Sequence, residues 1–125
     1  MAAPDVCVVV PTIREHECIR AYVANARAYG FDVSRLHVCL VTEDDCPTEA
    51  MRGTLADLGV SGSVFDASAR RAWFAENGVG EYAHVIPANS HAQTSFGLLY
   101  LWANGFDYGV FLDDDTRPHG DVDFF

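Results

Sequence analysis

The sequence predicts an α/β fold of the Rossmann-like kind, with a mostly parallel sheet and flanking helices. Short apolar runs rich in Val, Leu and Cys alternate with longer segments whose apolar residues recur at helical spacing. A Gly or an Asn-Gly pair follows each of the predicted helices, where helices commonly end. The resulting β-α-β-α-β-α-β series predicts right-handed crossovers between parallel strands.

The first half of the chain contains two predicted strand–helix units. Residues 6–10 are apolar and mostly β-branched, which is typical of a strand buried on both faces. The helix after this strand carries apolar residues at helical spacing: Ile19, Tyr22, Val23 and Ala26. Residues 36–41 predict the second strand, and Pro47 begins a helix that Gly59 ends. The inner face of this second helix is predicted to contain Met51, Leu55 and Leu58.

The second half continues the same alternation. Residues 63–65 predict a short third strand, and Ser68 is the expected cap of a helix that runs through Phe74. Residues 79–89 are expected to form a loop. The next helix has an apolar face made of Ala92, Phe96, Leu99, Tyr100 and Ala103. Residues 108–112 predict the last strand.

The length and composition favour one folded domain that spans residues 1–125. The chain has 125 residues, half of them apolar, which is enough for a single hydrophobic core. No apolar run approaches the roughly 18 residues of a membrane span, so we expect no transmembrane segment. No basic residue precedes the first apolar run, so we expect no signal peptide and a cytoplasmic location.

The charge of the chain narrows its possible partners. The net charge is −10, and all eight basic residues are Arg. A chain that is acidic and has no basic run is a poor partner for nucleic acid, so nucleic acid is not expected to bind. Two explanations of the Lys-free composition stay open: a GC-rich genome, or a high-salt cytoplasm in which a dense acidic surface remains soluble.

Polar clusters follow three of the predicted strands. The clusters are Pro11, Thr12, Arg14 and Glu15 after the first strand, Glu43, Asp44 and Asp45 after the second, and Asp113, Asp114 and Asp115 after the last. Open parallel sheets bind ligands at the carboxyl ends of strands, where the strand order reverses. We therefore expect these clusters to contribute to one site.

The three consecutive aspartates point to a metal site. Adjacent carboxylates repel one another, and a bound cation relieves that repulsion. If the segment is extended, Asp113 and Asp115 point the same way and address one ion, while Asp114 points elsewhere. Oxygen ligands suit Mg²⁺ or Mn²⁺. The alternative is a solvated acidic turn without a ligand.

The other two clusters have both structural and functional interpretations. Thr12 and Glu15 fit a capping box at the start of the first helix, or the loop surrounds a nucleobase with Arg14 near phosphate or base. A carboxylate such as Asp44 can accept hydrogen bonds from a base or a ribose. The alternative interpretation is that Asp45, which is close to Pro47, caps the N-terminus of the next helix.

Three segments in this order resemble the GT-A glycosyltransferases. They are residues 8–12, residues 41–49 and residues 111–115, the last containing the Asp-x-Asp element. The resemblance implies that Thr12 and Asp44 lie in the nucleoside pocket of a UDP-sugar. It also implies that Asp113 and Asp115 hold Mn²⁺ or Mg²⁺ on the diphosphate, so the expected activity is metal-dependent glycosyl transfer.

A narrower similarity is to the reversibly glycosylated polypeptides, which include UDP-arabinopyranose mutases. It rests on residues 11–14, 95–97, 113–115 and 123–125. That family has an Arg just before the Phe-Gly of the helix, where this chain has Thr94 or a neighbour. Members of the family continue into an acceptor half, so the resemblance implies a truncated, donor-binding half of the GT-A domain.

Three further expectations complete the sequence-based interpretation. A non-catalytic nucleotide-binding or metal-binding module that acts with a partner chain is one alternative function. A nucleotidyltransferase is another, although such enzymes usually have a Gly-rich basic loop after the first strand, and residues 11–15 do not form one. A homo-oligomer is possible as well, because an incomplete sheet edge favours association.

Overall fold

A four-stranded parallel sheet forms the centre of the molecule. The computed structural model describes residues 3–12, 16–88 and 92–125. The strands are β1 (Val6–Pro11), β2 (Leu36–Val41), β3 (Ser61–Phe65) and β4 (Tyr108–Phe111). Their order is β3-β2-β1-β4, and each neighbouring pair is parallel. The strand order therefore reverses between β1 and β4, which makes this gap the topological switch point.

Four helices cover the two faces of the sheet. They are α1 (Cys18–Ala28), α2 (Thr48–Leu58), α3 (Ala67–Glu76) and α4 (Gln93–Ala103). The side chains of α1 and α2 share one core cluster, and those of α3 and α4 share the cluster on the opposite face. The predicted α/β fold with a parallel sheet is confirmed. Within the described ranges, none of the helices has the length and apolar composition needed to cross a bilayer.

The continuous apolar run of β1 follows from its position inside the sheet. Val6, Val8 and Val10 pack into the core on the α1 and α2 side. Cys7 and Val9 pack into the core on the α3 and α4 side. Because helices cover both faces of β1, neither face meets water, and alternation with polar residues is absent.

Two local predictions in the middle of the chain are wrong. Ser68 does not cap α3, because the carboxylate of Asp66 accepts a hydrogen bond from Ala69 N at 2.8 Å and takes the cap position. Part of the segment predicted as a loop forms a 3-10 helix, Gly80–Val85, which we call the 3-10 segment. A second short 3-10 helix, Val33–Arg35, leads into β2.

Helix α4 lies unusually close to β1 at Gly97. A Cβ atom added to Gly97 would overlap Cγ1 of Val9 and lie 3.0 Å from its Cγ2. Gly97 is buried, and its neighbour Phe96 is fully buried in the core cluster on this face. The absence of a side chain at residue 97 therefore sets the distance between the helix and the sheet.

His37 anchors a polar network beneath α4. Its Nδ1 lies 2.7 Å from Ser61 Oγ, and its Nε2 lies 2.9 Å from the hydroxyl of Tyr100. The imidazole also stacks on the Tyr100 ring, with 5.8 Å between the ring centroids. Burial disfavours the charged imidazolium and lowers the pKa of His37. The neutral ring is therefore the form that this part of the fold accommodates.

We expect stability to fall as the pH drops below the ordinary histidine pKa of about 6.5. The folded state binds the His37 proton less readily than the unfolded state. The neutral His37 ring therefore makes its full contribution to stability above the ordinary histidine pKa. It is lost as the pH falls from there through the lowered folded-state pKa. Melting temperatures between pH 8 and pH 5 should show this loss, and His37→Gln should flatten the profile. A folded-state NMR titration placing the His37 pKa at or above the ordinary value would contradict this prediction.

Candidate functional site

The carboxyl ends of β1 and β4 open into a cleft of about 330 Å³. The residues that line this switch-point cleft are Pro11, Tyr22, Thr94, Phe111, Leu112, Asp113, Thr116 and Phe124. Pro11 and Asp113 are far apart in sequence, and the parallel pairing of β1 with β4 brings them together. Two of the predicted site residues thus meet at the point where ligands bind in open parallel sheets.

The three aspartates lie in a turn, and not in an extended segment. The carbonyl oxygen of Asp113 accepts hydrogen bonds from Thr116 N at 3.2 Å and from Thr116 Oγ1 at 2.7 Å. The inference that Asp113 and Asp115 align by strand alternation is therefore wrong, because the chain reverses directly after the strand. Both side chains are nevertheless exposed at the end of the sheet.

Thr12 connects the acidic turn to the central strand. Its buried hydroxyl donates a hydrogen bond to Oδ2 of Asp114 at 3.0 Å. Thr12 does not cap the first helix, because α1 begins only at Cys18. Arg14 and Glu15, the other residues proposed for this loop, lie outside the described residues. The hydrogen bond leaves Asp113 and Asp115 as the carboxylates of the turn that face solvent.

Asp44 lies elsewhere on the same edge of the sheet and is not among the residues that line the switch-point cleft. Its Oδ1 accepts a hydrogen bond from Ser68 N, at 2.9 Å, in the first turn of α3. This backbone hydrogen bond is the main cause that lowers the pKa of Asp44. The capping role expected of Asp45 at the next helix is wrong, since Pro47 occupies the N-cap of α2 without a side-chain hydrogen bond.

A buried polar cluster holds the carboxyl ends of β2 and β3. Nη2 of Arg70 lies 3.2 Å from Oε2 of Glu43 and 3.3 Å from its Oε1. Gln93 Nε2, from the first turn of α4, donates to the same Oε2. Arg70 Nη1 donates to the carbonyl oxygens of Thr42, the residue after β2, and of Phe65, the last residue of β3. We call Glu43, Arg70 and Gln93 the Glu43 cluster; all three side chains are buried.

Sequence reasoning missed the Glu43 cluster because it considered residues 43–45 only as ligand contacts or as acidic residues at a helix N-terminus. One signal was present in the sequence. Arg70 stands three residues after Ala67 and four before Phe74, on the buried face of α3. A cation on an apolar helix face requires a buried anion, and Glu43 lies two residues past the end of a buried strand.

A second cleft, of about 370 Å³, lies between α3 and the 3-10 segment. We call it the α3 cleft; it is lined by Ala67, Arg70, Arg71, Ala83, His84, Ile86, Pro87 and Ala88. Its walls are largely apolar, and its polar side chains are basic. Arg71 is exposed and lies 3.9 Å from the carboxylate of Asp44. This combination suits a flat group that presents hydrogen-bond acceptors.

Comparison with known proteins assigns no function to the chain, so its function must be inferred from the site. No protein-family profile matches the chain, and no curated protein is significantly similar to it. Parallel α/β sheets support many unrelated activities, so the fold alone assigns none. Within the described residues, no group of three or more His, Cys, Asp or Glu side chains is arranged to hold a metal ion.

Proposed function

We propose that the chain binds a nucleotide-diphospho-sugar, most simply a UDP-sugar, as the donor-binding part of a GT-A-type glycosyltransferase or sugar-ring mutase. The observation that carries the proposal is the switch-point cleft, which has Asp113 at its rim and the acidic turn beside it. Dinucleotides and nucleotide-sugars bind parallel sheets at this reversal of strand order.

The acidic turn fits a divalent cation that a ligand helps to hold. Mg²⁺ is commonly bound by one or two protein carboxylates together with phosphate oxygens and water. Asp113 and Asp115 supply two exposed carboxylates, and the third, Asp114, is engaged by Thr12. A two-carboxylate site of this kind needs no cluster of three protein ligands. When bound, Mn²⁺ or Mg²⁺ supplies charge neutralisation for a departing diphosphate.

The carboxyl edge has room for the rest of the donor. Neighbouring strands lie about 4.8 Å apart, so the ends of β4 and β2 are roughly 10 Å apart, a span that a nucleoside diphosphate bridges. Asp44 and Arg71 lie past the end of β2, beside the α3 cleft, with its apolar walls and basic groups. In this arrangement the diphosphate lies near Asp113 and the base lies toward Arg71.

In this proposal, the residues that line the switch-point cleft bind the ligand and shield it from water. Pro11, Phe111 and Leu112 form apolar walls that exclude water from the sugar–phosphate bond. Tyr22 donates a hydrogen bond to Thr116 Oγ1 at 3.1 Å and steadies the far side of the turn. Thr94 on α4 contributes a hydroxyl to the lining.

Titration calorimetry with UDP and UDP-sugars, with Mn²⁺ and with EDTA, tests the proposal. We expect binding that depends on Mn²⁺ and that weakens at least about tenfold in Asp113→Asn, a loss of roughly 1.4 kcal/mol. Asp121→Asn is the matched control, because it removes the same charge from an exposed residue outside the turn. We expect it to leave the affinity unchanged.

Three results would contradict this proposal or redirect it. Equal affinity with Mn²⁺ and with EDTA, or equal losses in Asp113→Asn and Asp121→Asn, would exclude the metal-dependent site. Preference for an intact nucleoside triphosphate over UDP would favour a nucleotidyltransferase. Binding of the UDP-sugar without turnover, restored by a second polypeptide, would favour a non-catalytic module that acts with a partner chain.

A further inference from the structure

Residues 116–124 follow the acidic turn and lie against helix α1; we call them the 116–124 segment. Two tyrosines seven residues apart, and therefore on one face of the helix, donate hydrogen bonds to this segment. Tyr22 donates to Thr116 Oγ1 at 3.1 Å, and Tyr29, at the C-cap of α1, donates to the carbonyl oxygen of Gly120 at 3.0 Å. The segment is therefore bound to the helix at its beginning and at its middle.

Asn25, which lies between the two tyrosines, fixes the end of the 116–124 segment. Its Nδ2 donates to the carbonyl oxygen of Val122 at 2.8 Å, and its Oδ1 accepts a hydrogen bond from Phe124 N at 3.0 Å. Asn25 is buried, and the backbone of the segment satisfies both polar atoms of its amide. The backbone of Phe124 therefore has a defined position relative to α1.

The ring of Phe124 forms one wall of the switch-point cleft together with Tyr22. The centroids of the two rings are 4.9 Å apart and their planes meet at 67°, an edge-to-face arrangement that aromatic pairs favour. Tyr22 is 3% exposed and Phe124 is 41% exposed, so Phe124 is the ring of this pair that has area left for a ligand. Phe111 borders the cleft from the other side of the sheet, because it is aligned with Val9. Phe124 is therefore the exposed ring on the α1 side.

The order of the groups in a nucleotide-sugar indicates which of them meets Phe124. In the arrangement proposed above, the base lies toward Arg71 and the diphosphate lies near Asp113. The transferred sugar is attached to the far end of the diphosphate, so it lies in the switch-point cleft. Among the described residues that line this cleft, only Asp113 is charged, which suits a neutral group. A sugar ring presents C–H groups on its faces, and the negative face of an aromatic ring attracts them.

We propose that Phe124 is a specificity-determining residue, and that the transferred sugar of the nucleotide-sugar packs against its ring. The proposal rests on the proposed function and adds to it a subsite for the sugar, apart from the acidic turn and the α3 cleft. Packing of the sugar removes apolar area of the Phe124 ring from water, which favours binding. Free UDP has no transferred sugar, so the contact should contribute to the affinity for a UDP-sugar and not to the affinity for UDP.

Titration calorimetry with UDP-glucose and with UDP, both in the presence of Mn²⁺, tests this contact. We expect Phe124→Ala to weaken UDP-glucose binding at least about tenfold and to change UDP binding by less than about twofold. Phe124→Leu removes the aromatic face but keeps apolar bulk, so it should cause a smaller loss that is also confined to UDP-glucose. This second variant serves if circular dichroism shows that Phe124→Ala does not fold.

The matched control is Val122→Ala. Val122 is an exposed apolar residue of the same segment and does not line the switch-point cleft, so this variant should leave both affinities unchanged. Equal losses of UDP-glucose and UDP affinity in the Phe124 variants would overturn the proposal, as would unchanged affinity for both ligands. A loss in Val122→Ala equal to that in Phe124→Ala would overturn it too. These outcomes leave nucleotide binding intact, whereas a wild-type chain that binds neither ligand would contradict the proposed function itself.

Discussion

Replacing Arg70 by Leu is expected to lower the free energy of unfolding by about 3–5 kcal/mol, the usual cost of breaking a buried ion pair. The substitution leaves the Glu43 carboxylate buried without its cation and removes the donor to the carbonyl of Thr42. Gln93 alone cannot neutralise that charge. Urea unfolding at pH 7, followed by circular dichroism, measures the loss.

Arg71→Leu is the matched control for this prediction. Arg71 is the next residue of α3, but it is exposed and lies 3.9 Å from Asp44, so we expect a change below about 1 kcal/mol. Removing both charges, with Glu43→Leu and Arg70→Leu together, should recover much of the stability lost in the single variant. Equal costs for Arg70→Leu and Arg71→Leu would mean that the Glu43 cluster does not behave as a buried ion pair.

Gly97→Ala is expected to destabilise the fold by about 1–3 kcal/mol, the typical cost of overpacking a core. The new Cβ would overlap Val9, so α4 or β1 must move. Intrinsic helix propensity works in the opposite direction, since Ala is favoured over Gly by about 1 kcal/mol. A net loss of stability in urea unfolding would show that the close contact outweighs propensity.

Gly53→Ala is a control for which we expect the opposite change in stability. Gly53 lies in the middle of α2, and nothing comes within 4 Å of a Cβ added there. We expect a gain of about 0.5–1 kcal/mol from reduced backbone entropy in the unfolded chain. The cost of Gly97→Ala should also shrink in a Val9→Ala background, because that variant makes room for the Cβ. A gain in stability from both glycine variants would contradict the close contact at Gly97.

Local pattern was sufficient for most of the fold. The apolar run of β1 and the helical spacing of α1 and α2 each reflect which faces are buried. The spacing could not reveal that β4 inserts beside β1, because strand order depends on contacts between distant segments. Helix boundaries were less predictable: Asp66 caps α3 in place of Ser68, since either residue type can cap a helix.

The candidate site was predictable in position and less so in detail. The strand-end rule anticipated that Pro11 and Asp113 meet. The alignment of Asp113 with Asp115 failed because it assumed that the strand geometry continues into the turn. The Glu43 cluster was missed because its three members come from the segment after β2, from α3 and from α4, and no local pattern joins them.

The hydrogen bond between Thr12 and Asp114 bears on the thermodynamics of binding at the switch-point cleft. Ordering a loop when a ligand binds costs conformational entropy, and that cost reduces affinity. Here the acidic turn is fixed to the buried end of β1 as the chain folds, so much of the ordering precedes any encounter with a ligand. The core of the sheet thus preorganises the carboxylates that a ligand would meet.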